Sequence, residues 1–547
     1  MASQLSSRAR AIASEALESD CTPGSFLGVQ TLSKATTLNL RTAENWLVRE
    51  ELTLLYRELV REHLDPSDLS YGTGFGGDPD LLDATAALVN TYFNPAQTIS
   101  PDDVVITTGA SLCLDALMFS LCDEGDEVLI TAPYWSIILQ GREVKKLIRV
   151  ATMLAGFDQH LVLRTGVKLL PIHAPSADIG LTRPEDLLKG SLVPYLTAAY
   201  QSSADPSRVK ALVVTNPHNP YGRFYPESVI REAMKWCAER KIHYVSDEVY
   251  ALSQLAAPDE HPGHGTAHGH RRGQHGHREV PFISALAVRF DGNDEAKVPE
   301  ISVVWGTSKD LGSSGFRVGV YVHRQPPGSR SSRASHKAAA SGAAARSGTS
   351  ATNPLDRSPL TTTLSNLTNS HLPTLTTSLL TKGLFTSASL PHLFRLNRTR
   401  LHEHYVLLRS YLQKWRVPYV EVQGAPFVLT RLACVVARVR RAEARGHIGT
   451  RDLSAEGGAE PSGCTWEDEE HLVQTLLRDR AGVLVAPGRQ YHMEKEADSH
   501  AISGGDASSH GAPDKKRAGW VRITFAVPLP VLKDGIARIA TVLGLEG

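Results

Sequence analysis

The sequence predicts an α/β protein, with a large domain on a mainly parallel sheet covered by helices on both faces and a smaller α+β domain after it. Three observations carry this. Short apolar strands alternate with helix-like stretches from about Asp78 to Pro220 and on to Trp305. The pattern changes after about Tyr321, and 547 residues with 41% hydrophobic content can fill two cores.

In chain order, apolar periodicity runs through Leu81–Tyr92, followed by a strand at Val104–Thr107, a helix over Ser111–Leu121 and a strand at Val128–Thr131. Strands follow at Ala211–Thr215, His243–Ser246 and Ile301–Trp305, with a helix near Ser228–Arg240. Strands that read as continuous apolar runs between helices belong to a parallel sheet buried on both faces. Beyond Tyr321 the pattern predicts a long helix over Leu390–Trp415, strands at Val417–Val422 and Phe427–Leu432, apolar periodicity over Trp466–Leu477, and strands at Gly482–Ala486 and Val521–Ala526. The expected organisation is an N-terminal segment, 1–70, packing on the small domain; a large domain, 71–322; a low-complexity insertion, 323–352; and a linking helix with the small domain, 353–547.

Ala256–Arg278, Gln325–Thr352, Val435–Gly463 and Glu494–Ala518 lack periodicity and are rich in Gly, Ser, Ala, His or charge, so they read as surface insertions. Gly141–Gly156 is amphipathic and reads as a helical insertion. The first tract holds His261, His264, His268, His270, His275 and His277. Glycine spacing fixes no geometry for these imidazoles and no Cys or acid follows a ligand spacing, so no metal is expected.

Lys+Arg and Asp+Glu are both 58, which leaves no net charge to hold a polyanion and argues against nucleic acid as a main partner. The six cysteines form no C-x-x-C pair, as in a reduced protein. No apolar run of membrane-spanning length occurs, and Met1–Asp20 lacks a signal-peptide core, so the expected location is cytoplasmic.

Four strand ends carry the chemistry. Ser308-Lys309-Asp310-Leu311-Gly312 and Gly315-Phe316-Arg317-Val318-Gly319 follow the strand Ile301–Trp305. A lysine at such a strand end suits covalent work, though a solvated helix-start lysine has the same pattern. An unperturbed lysine titrates near about 10.4 and has to be brought towards about 7 to 8, to which a cation such as Arg317 contributes. Asp247, in Ser246-Asp247-Glu248-Val249-Tyr250, stands where open α/β sheets bind ligands. An acid there can keep a pyridine nitrogen protonated, and Tyr250 can donate to a phenolic oxygen; a solvated turn is the plainer alternative. Asn216-Pro217-His218-Asn219-Pro220-Tyr221-Gly222 shapes another turn, from which Asn219 can donate to the same oxygen. Gly109-Ala110-Ser111 opens a helix whose N–H groups, with the Ser111 hydroxyl, make either a phosphate cradle or a simple cap.

Together and in this order, these motifs resemble the class I/II aminotransferases of pyridoxal 5'-phosphate (PLP) fold type I. Thr42-Ala43-Glu44-Asn45, Tyr71-Gly72 and Arg317-Val318-Gly319 are most similar to the 1-aminocyclopropane-1-carboxylate synthase-like branch with its fungal aminotransferase-like members. The resemblance implies a seven-stranded, mainly parallel sheet. It also implies that Lys309 binds the cofactor covalently and moves the α-proton, Asp247 pairs with the ring nitrogen, and Asn219 and Tyr250 bind the phenolic oxygen. Trp135, beside Tyr134, stacks on the ring. Gly109, Ala110, Ser111, Ser308 and Arg317 surround the phosphate, and Tyr71 reaches the phosphate of a neighbouring subunit, making a homodimer. Arg522 binds the substrate α-carboxylate, with Glu44 and Asn219 also facing substrate.

Two departures stand out. Gly306 occupies the place of a phosphate-binding serine, for which Thr307 or Ser308 can substitute, and the Asp247-to-Lys309 spacing is lengthened by the His-rich tract. The implied activity is amino transfer between an amino acid and a 2-oxo acid, with a setting in specialised metabolism. Elimination by an ACC synthase-like or C–S lyase, and a non-catalytic PLP-binding homologue, are the alternatives the shared motifs leave open.

Overall fold

The computed structural model of the chain describes residues 37–135, 161–162, 164–173, 188–255, 281–290, 298–326, 357–368, 372–444, 464–493 and 518–545. The tracts 141–156 and 256–278, with most of 325–352, 445–463 and 494–517, lie outside these residues.

Seven strands form the central sheet: β2 (Val104–Thr107), β3 (Glu127–Ala132), β4 (Lys168–His173), β5 (Val209–Thr215), β6 (His243–Asp247), β7 (Ile301–Gly306) and β8 (Gly319–Arg324), in the order β2-β8-β7-β6-β5-β3-β4. Pairing is parallel from β4 through β7, and β8 runs antiparallel to both of its neighbours. Every residue of β2, β6, β7 and β8 is buried, as the β-branched and apolar content of these runs requires when helices cover both faces. Helices Pro79–Tyr92 and Glu227–Arg240 supply apolar side chains to one face, and Ala110–Leu121 to the other.

This topology gathers the chemistry on one edge. Asp247 ends β6, Lys309 follows the end of β7, and Asn219 and Trp135 follow the ends of β5 and β3. Because β8 is antiparallel, Arg317, just before its start, arrives at the same edge. The register pairs Thr215 with Asp247, and Gly306 and Thr107 with Gly319, so these ends lie side by side.

A second sheet, antiparallel and in the order β11-β12-β9, is formed by Ala486–Pro487, Val521–Thr524 and Phe427–Thr430, with Arg522 opposite Leu429 and Ala486. The N-terminal strand β1 (Leu38–Asn39) pairs in parallel with β10 (Val483–Leu484), tying the start of the described chain to this region. The 25-residue helix Leu390–Lys414 joins the two parts. Leu390, Leu393 and Phe394 enter the core under the large sheet, whereas Leu401, Tyr405, Leu408 and Leu412 enter the core of the smaller one.

Three local expectations change. Val417–Val422 is not a strand but a single bridge, Tyr419 to Thr430: Pro418 has no N–H with which to continue the ladder on one side, and on the other the Val422 N–H donates to Tyr405 Oη at 3.2 Å. Gly482–Ala486 divides into β10 and the start of β11, which pair with different partners. The beginning of Val435–Gly463 belongs to the helix Ala433–Ala444, whose Cys434, Val435 and Ala437 are buried in the second core.

Gly306 is explained by packing. A Cβ there would meet the Val318 carbonyl oxygen at 2.5 Å, so β7 and β8 close too tightly for a serine. Thr307 is buried with its hydroxyl enclosed and without a hydrogen-bond partner among the described residues, which leaves Ser308, half-buried, as the more accessible of the two hydroxyls. Gly306→Ala is therefore expected to lower stability by about 1–3 kcal/mol through overpacking, read as a lower urea midpoint at unchanged slope. An unchanged midpoint would disprove the close approach.

Candidate functional site

Lys309 sits on a single helical turn, Thr307–Asp310, directly after β7. Its Nζ donates to the Ala43 carbonyl at 2.7 Å. Burial brings the amine down to about 8; Arg522 and Arg317 push the same way, while Glu44 and Asp247 oppose them. The site thus brings Lys309, Asp247, Arg317, Arg522 and Glu44 into one electrostatic neighbourhood from distant parts of the sequence.

Asp247 is buried and its Oδ1 accepts one long bond, from the Val249 N–H at 3.4 Å. Burial raises its carboxyl to about 7, against the pull of Val249 and Lys309. Its neighbour Glu248 points elsewhere, accepting from Ser246 Oγ at 2.9 Å and from the Ala285 N–H at 2.8 Å. The strand-end acid pair therefore divides, with one member holding the scaffold and the other facing the site. Tyr250 is buried edge-on against Phe427, with ring centroids 5.4 Å apart, and burial pushes its hydroxyl well above the usual range.

Asn219 meets Arg522 across the two sheets: Arg522 Nη1 donates to Asn219 Oδ1 at 2.9 Å and Nη2 to the Arg41 carbonyl at 2.8 Å. Arg522 Nε is buried and has no hydrogen-bond partner among the described residues. The guanidinium lies over Phe427 and Tyr491, 4.4 and 5.2 Å from their ring centroids, which holds its plane in place.

Gly109, at φ +93°, precedes the helix Ala110–Leu121 and supplies no side-chain cap, so the first N–H groups keep their capacity to bind an anion. A Cβ on Gly109 would meet Arg317 Nη2 at 2.4 Å, and one on Gly319 would meet Ala110 N at 2.6 Å. Two glycines thus let a guanidinium and a helix start converge, with Ser111 half-buried beside them. At the end of β3, Tyr134 is buried against His492 at 4.6 Å, leaving the half-buried Trp135 as the more accessible aromatic. Glu44 accepts from Ser314 Oγ at 2.5 Å and pairs with Arg49 at 3.3 Å; burial raises its carboxyl, but Ser314, Arg49 and Lys309 together hold it below the usual range.

Tyr71 stands apart from these residues, 99% exposed. Sequence reasoning missed Ala43 and Arg41, which act through carbonyls and so leave no side-chain signal. It also missed Asp310, whose buried carboxylate accepts from Leu252 N, Ser253 Oγ and Trp305 Nε1 at 3.0, 2.6 and 2.7 Å. An acid next to the key lysine was the available clue.

The chain matches the family model described as aminotransferase class I and II over residues 39–153 and 192–539. It is 31% identical over 509 residues to the probable aminotransferase aclI of Aspergillus oryzae, covering 93% of this chain and 91% of that one. It is 30% identical over 256 residues to 1-aminocyclopropane-1-carboxylate synthase 1 of Oryza sativa subsp. indica, covering 46% and 42%. In fold it is similar to Thermus thermophilus aspartate aminotransferase with maleate, with TM-score 0.56 and 16% identity, covering 98% and 97%.

The raised carboxyl of Asp247 has a stability signature. Folded chains keep its proton up to about 7 while unfolded chains release it near 3.8, so this group's effect on stability becomes less favourable as pH rises through that window. In cofactor-free protein, Asp247→Asn is expected to flatten part of this fall, its advantage in urea midpoint growing between pH 4 and 7. Parallel curves for variant and wild type would show that the carboxyl is not strained by burial.

Proposed function

The chain belongs to the class I and II aminotransferases and is a PLP-dependent aminotransferase, and on that premise we propose how its own residues transfer an amino group between an amino acid and a 2-oxo acid. The observation that carries the reading is the convergence of Asp247, Arg317 and Arg522 around the Lys309 amine.

The residues present fit the cofactor. Asp247 is a buried carboxyl with spare acceptor capacity, Arg317 and an uncapped helix start meet at Gly109, and Lys309 is an amine held near neutrality by burial. Bound there, PLP supplies an electron sink for negative charge developing at the substrate α-carbon. Asp247 would hold the proton on the ring nitrogen, Asn219 and Tyr250 would donate to the phenolic oxygen, and Trp135 would stack on the ring. Gly109, Ala110, Ser111, Ser308 and Arg317 would hold the phosphate. Lys309 carries the α-proton, a task its lowered pKa suits near neutral pH. Arg522 receives the α-carboxylate; its planar fork is held by Asn219 and Phe427 before substrate arrives.

A homodimer is part of this reading. Tyr71 and Leu69, 99% and 86% exposed, and Leu375 at 40% are apolar side chains that a second copy would cover, placing Tyr71 at the partner's phosphate. A cytoplasmic setting is supported by the buried thiols of Cys113, Cys122, Cys237, Cys434 and Cys464, which form no disulfide among the described residues; among those residues no helix is long and apolar enough to cross a membrane.

Elimination is the second reading, favoured by one observation: the Glu44 carboxylate, held by Ser314 and Arg49, lies in the electrostatic field of Lys309. The two separate by product. Full-length protein with PLP, an amino acid panel and 2-oxo acids is expected to yield a new amino acid, whereas ammonia, thiol or methylthioadenosine without one would replace transfer by elimination. Lys309→Ala is expected to abolish both turnover and the borohydride-stable attachment of PLP to the chain; retention of either removes Lys309 from the mechanism. Arg522→Lys is expected to lower kcat/KM roughly 100-fold, from loss of a desolvated fork worth a few kcal/mol, and a change under threefold would move the carboxylate site elsewhere.

A further inference from the structure

The turn that carries Lys309 is four residues long, too short to satisfy its own carbonyls. Thr307 O accepts from the Leu311 N–H at 3.1 Å and from Ser313 Oγ at 3.3 Å. The Lys309 and Asp310 carbonyls are served from far away. Asn45 Nδ2 donates to Lys309 O at 2.9 Å, and Asn397 Nδ2 donates to Asp310 O at 3.2 Å. The two amides are themselves joined, Asn45 Nδ2 donating to Asn397 Oδ1 at 2.8 Å, and Asn45 Oδ1 accepts from the Leu47 N–H at 3.0 Å. Both side chains are completely buried.

Asn397 occupies a particular place in the long helix. The apolar residues before it, Leu390, Leu393 and Phe394, pack under the large sheet, and those after it, Leu401, Tyr405 and Leu408, pack in the smaller core. On the same stretch Arg398 donates to Leu252 O at 3.3 Å, and Arg400 pairs with Glu51 at 2.7 Å. The point where the helix passes from one core to the other is therefore the point at which it touches the main chain of the lysine turn.

We propose that Asn397 is a positioning residue for the reaction: acting with Asn45, it fixes the main chain of Lys309 and couples the seating of the smaller core to the direction from which the amine addresses substrate. An amide suits this duty because one planar group donates to Asp310 O and accepts from Asn45 at once, whereas a hydrocarbon leaves both unpaired and a carboxylate has no donor. The inference rests on the reading of Lys309 as the group that moves the α-proton.

Two measurements on full-length Asn397→Leu and Asn397→Asp test it. The first uses cofactor-free protein: competitive labelling of lysines with acetic anhydride across pH, with Lys309 quantified by mass spectrometry against the half-exposed Lys382. The Lys309 profile is expected to move to higher pH in Asn397→Leu, by less in Asn397→Asp, while Lys382 does not move. The second is turnover of the loaded enzyme, where kcat is expected to fall about 100-fold for a displaced amine while KM changes less than threefold. Asn397→Asp keeps the volume and the acceptor for Asn45, and decides the matter by the same readings if Asn397→Leu does not fold. Folded variants with wild-type Lys309 labelling overturn the proposal, including any whose kcat loss follows only a lowered Tm. The labelling needs neither PLP nor substrate, so it stands apart from whether the chemistry is transfer, elimination or independent of Lys309.

Discussion

The site depends on one electrostatic constraint: an amine and a carboxyl are buried at the same sheet edge, and burial drives each towards its neutral form. Lys309 falls to about 8 and Asp247 rises to about 7, although each draws the other towards charge. In water both would be fully ionised at neutral pH. Here the scaffold holds a nucleophilic amine and an unsatisfied acid ready for a ligand that brings the missing charges, and the cost is carried by the hydrophobic packing of the sheet beneath.

That packing explains the geometry. Parallel strands deliver successive chain ends to one edge, and the antiparallel β8 brings the start of its own strand there instead, so that Arg317 meets the helix at Gly109. The smaller sheet closes the site from the other side, with Arg522 reaching Asn219 across the gap. Between them runs the segment from Arg41 to Asn45, which touches Arg522 and Lys309 through carbonyls and the lysine turn through Asn45. Each of the three parts is needed to define where the amine points.

Much of this was legible in the sequence. Buried parallel strands are short apolar runs, and β2 was placed to the residue; the glycine, proline and charged residues at their ends are dictated by turn geometry and chemistry. What was not legible has physical reasons. β4 is an edge strand, half-exposed and containing Pro171, so it lacks the apolar run that marks its neighbours. The helix Arg49–His63 buries only Leu52 and Leu59 and reads as a charged stretch. In β8, His323 and Arg324 are buried but polar; His323 is held by Ser358 and Glu300, partners no local pattern reveals. At the site, Lys309, Asp247 and Arg317 were candidates because each stands in a motif beside a strand end, whereas Asn45 and Asn397 are joined by a contact between residues hundreds of positions apart.

Three buried acids at or beside the ends of β6 and β7 differ in how the fold uses them. All are pushed up by burial: Asp310 to about 6, Glu248 and Asp247 to about 7. They differ in how well they are satisfied. Asp310 accepts three hydrogen bonds and locks the lysine turn to the segment after Tyr250. Glu248 accepts from Ser246 and Ala285 through one oxygen and binds the strand to a neighbouring loop. Among the described residues Asp247 accepts a single bond, of 3.4 Å. A chain that gives three donors to one buried acid and a single long one to another leaves the second with acceptor capacity for a ligand. Burial alone ranks these carboxyls together; the count of donors separates them, and it leaves the most acceptor capacity on the residue at the end of β6.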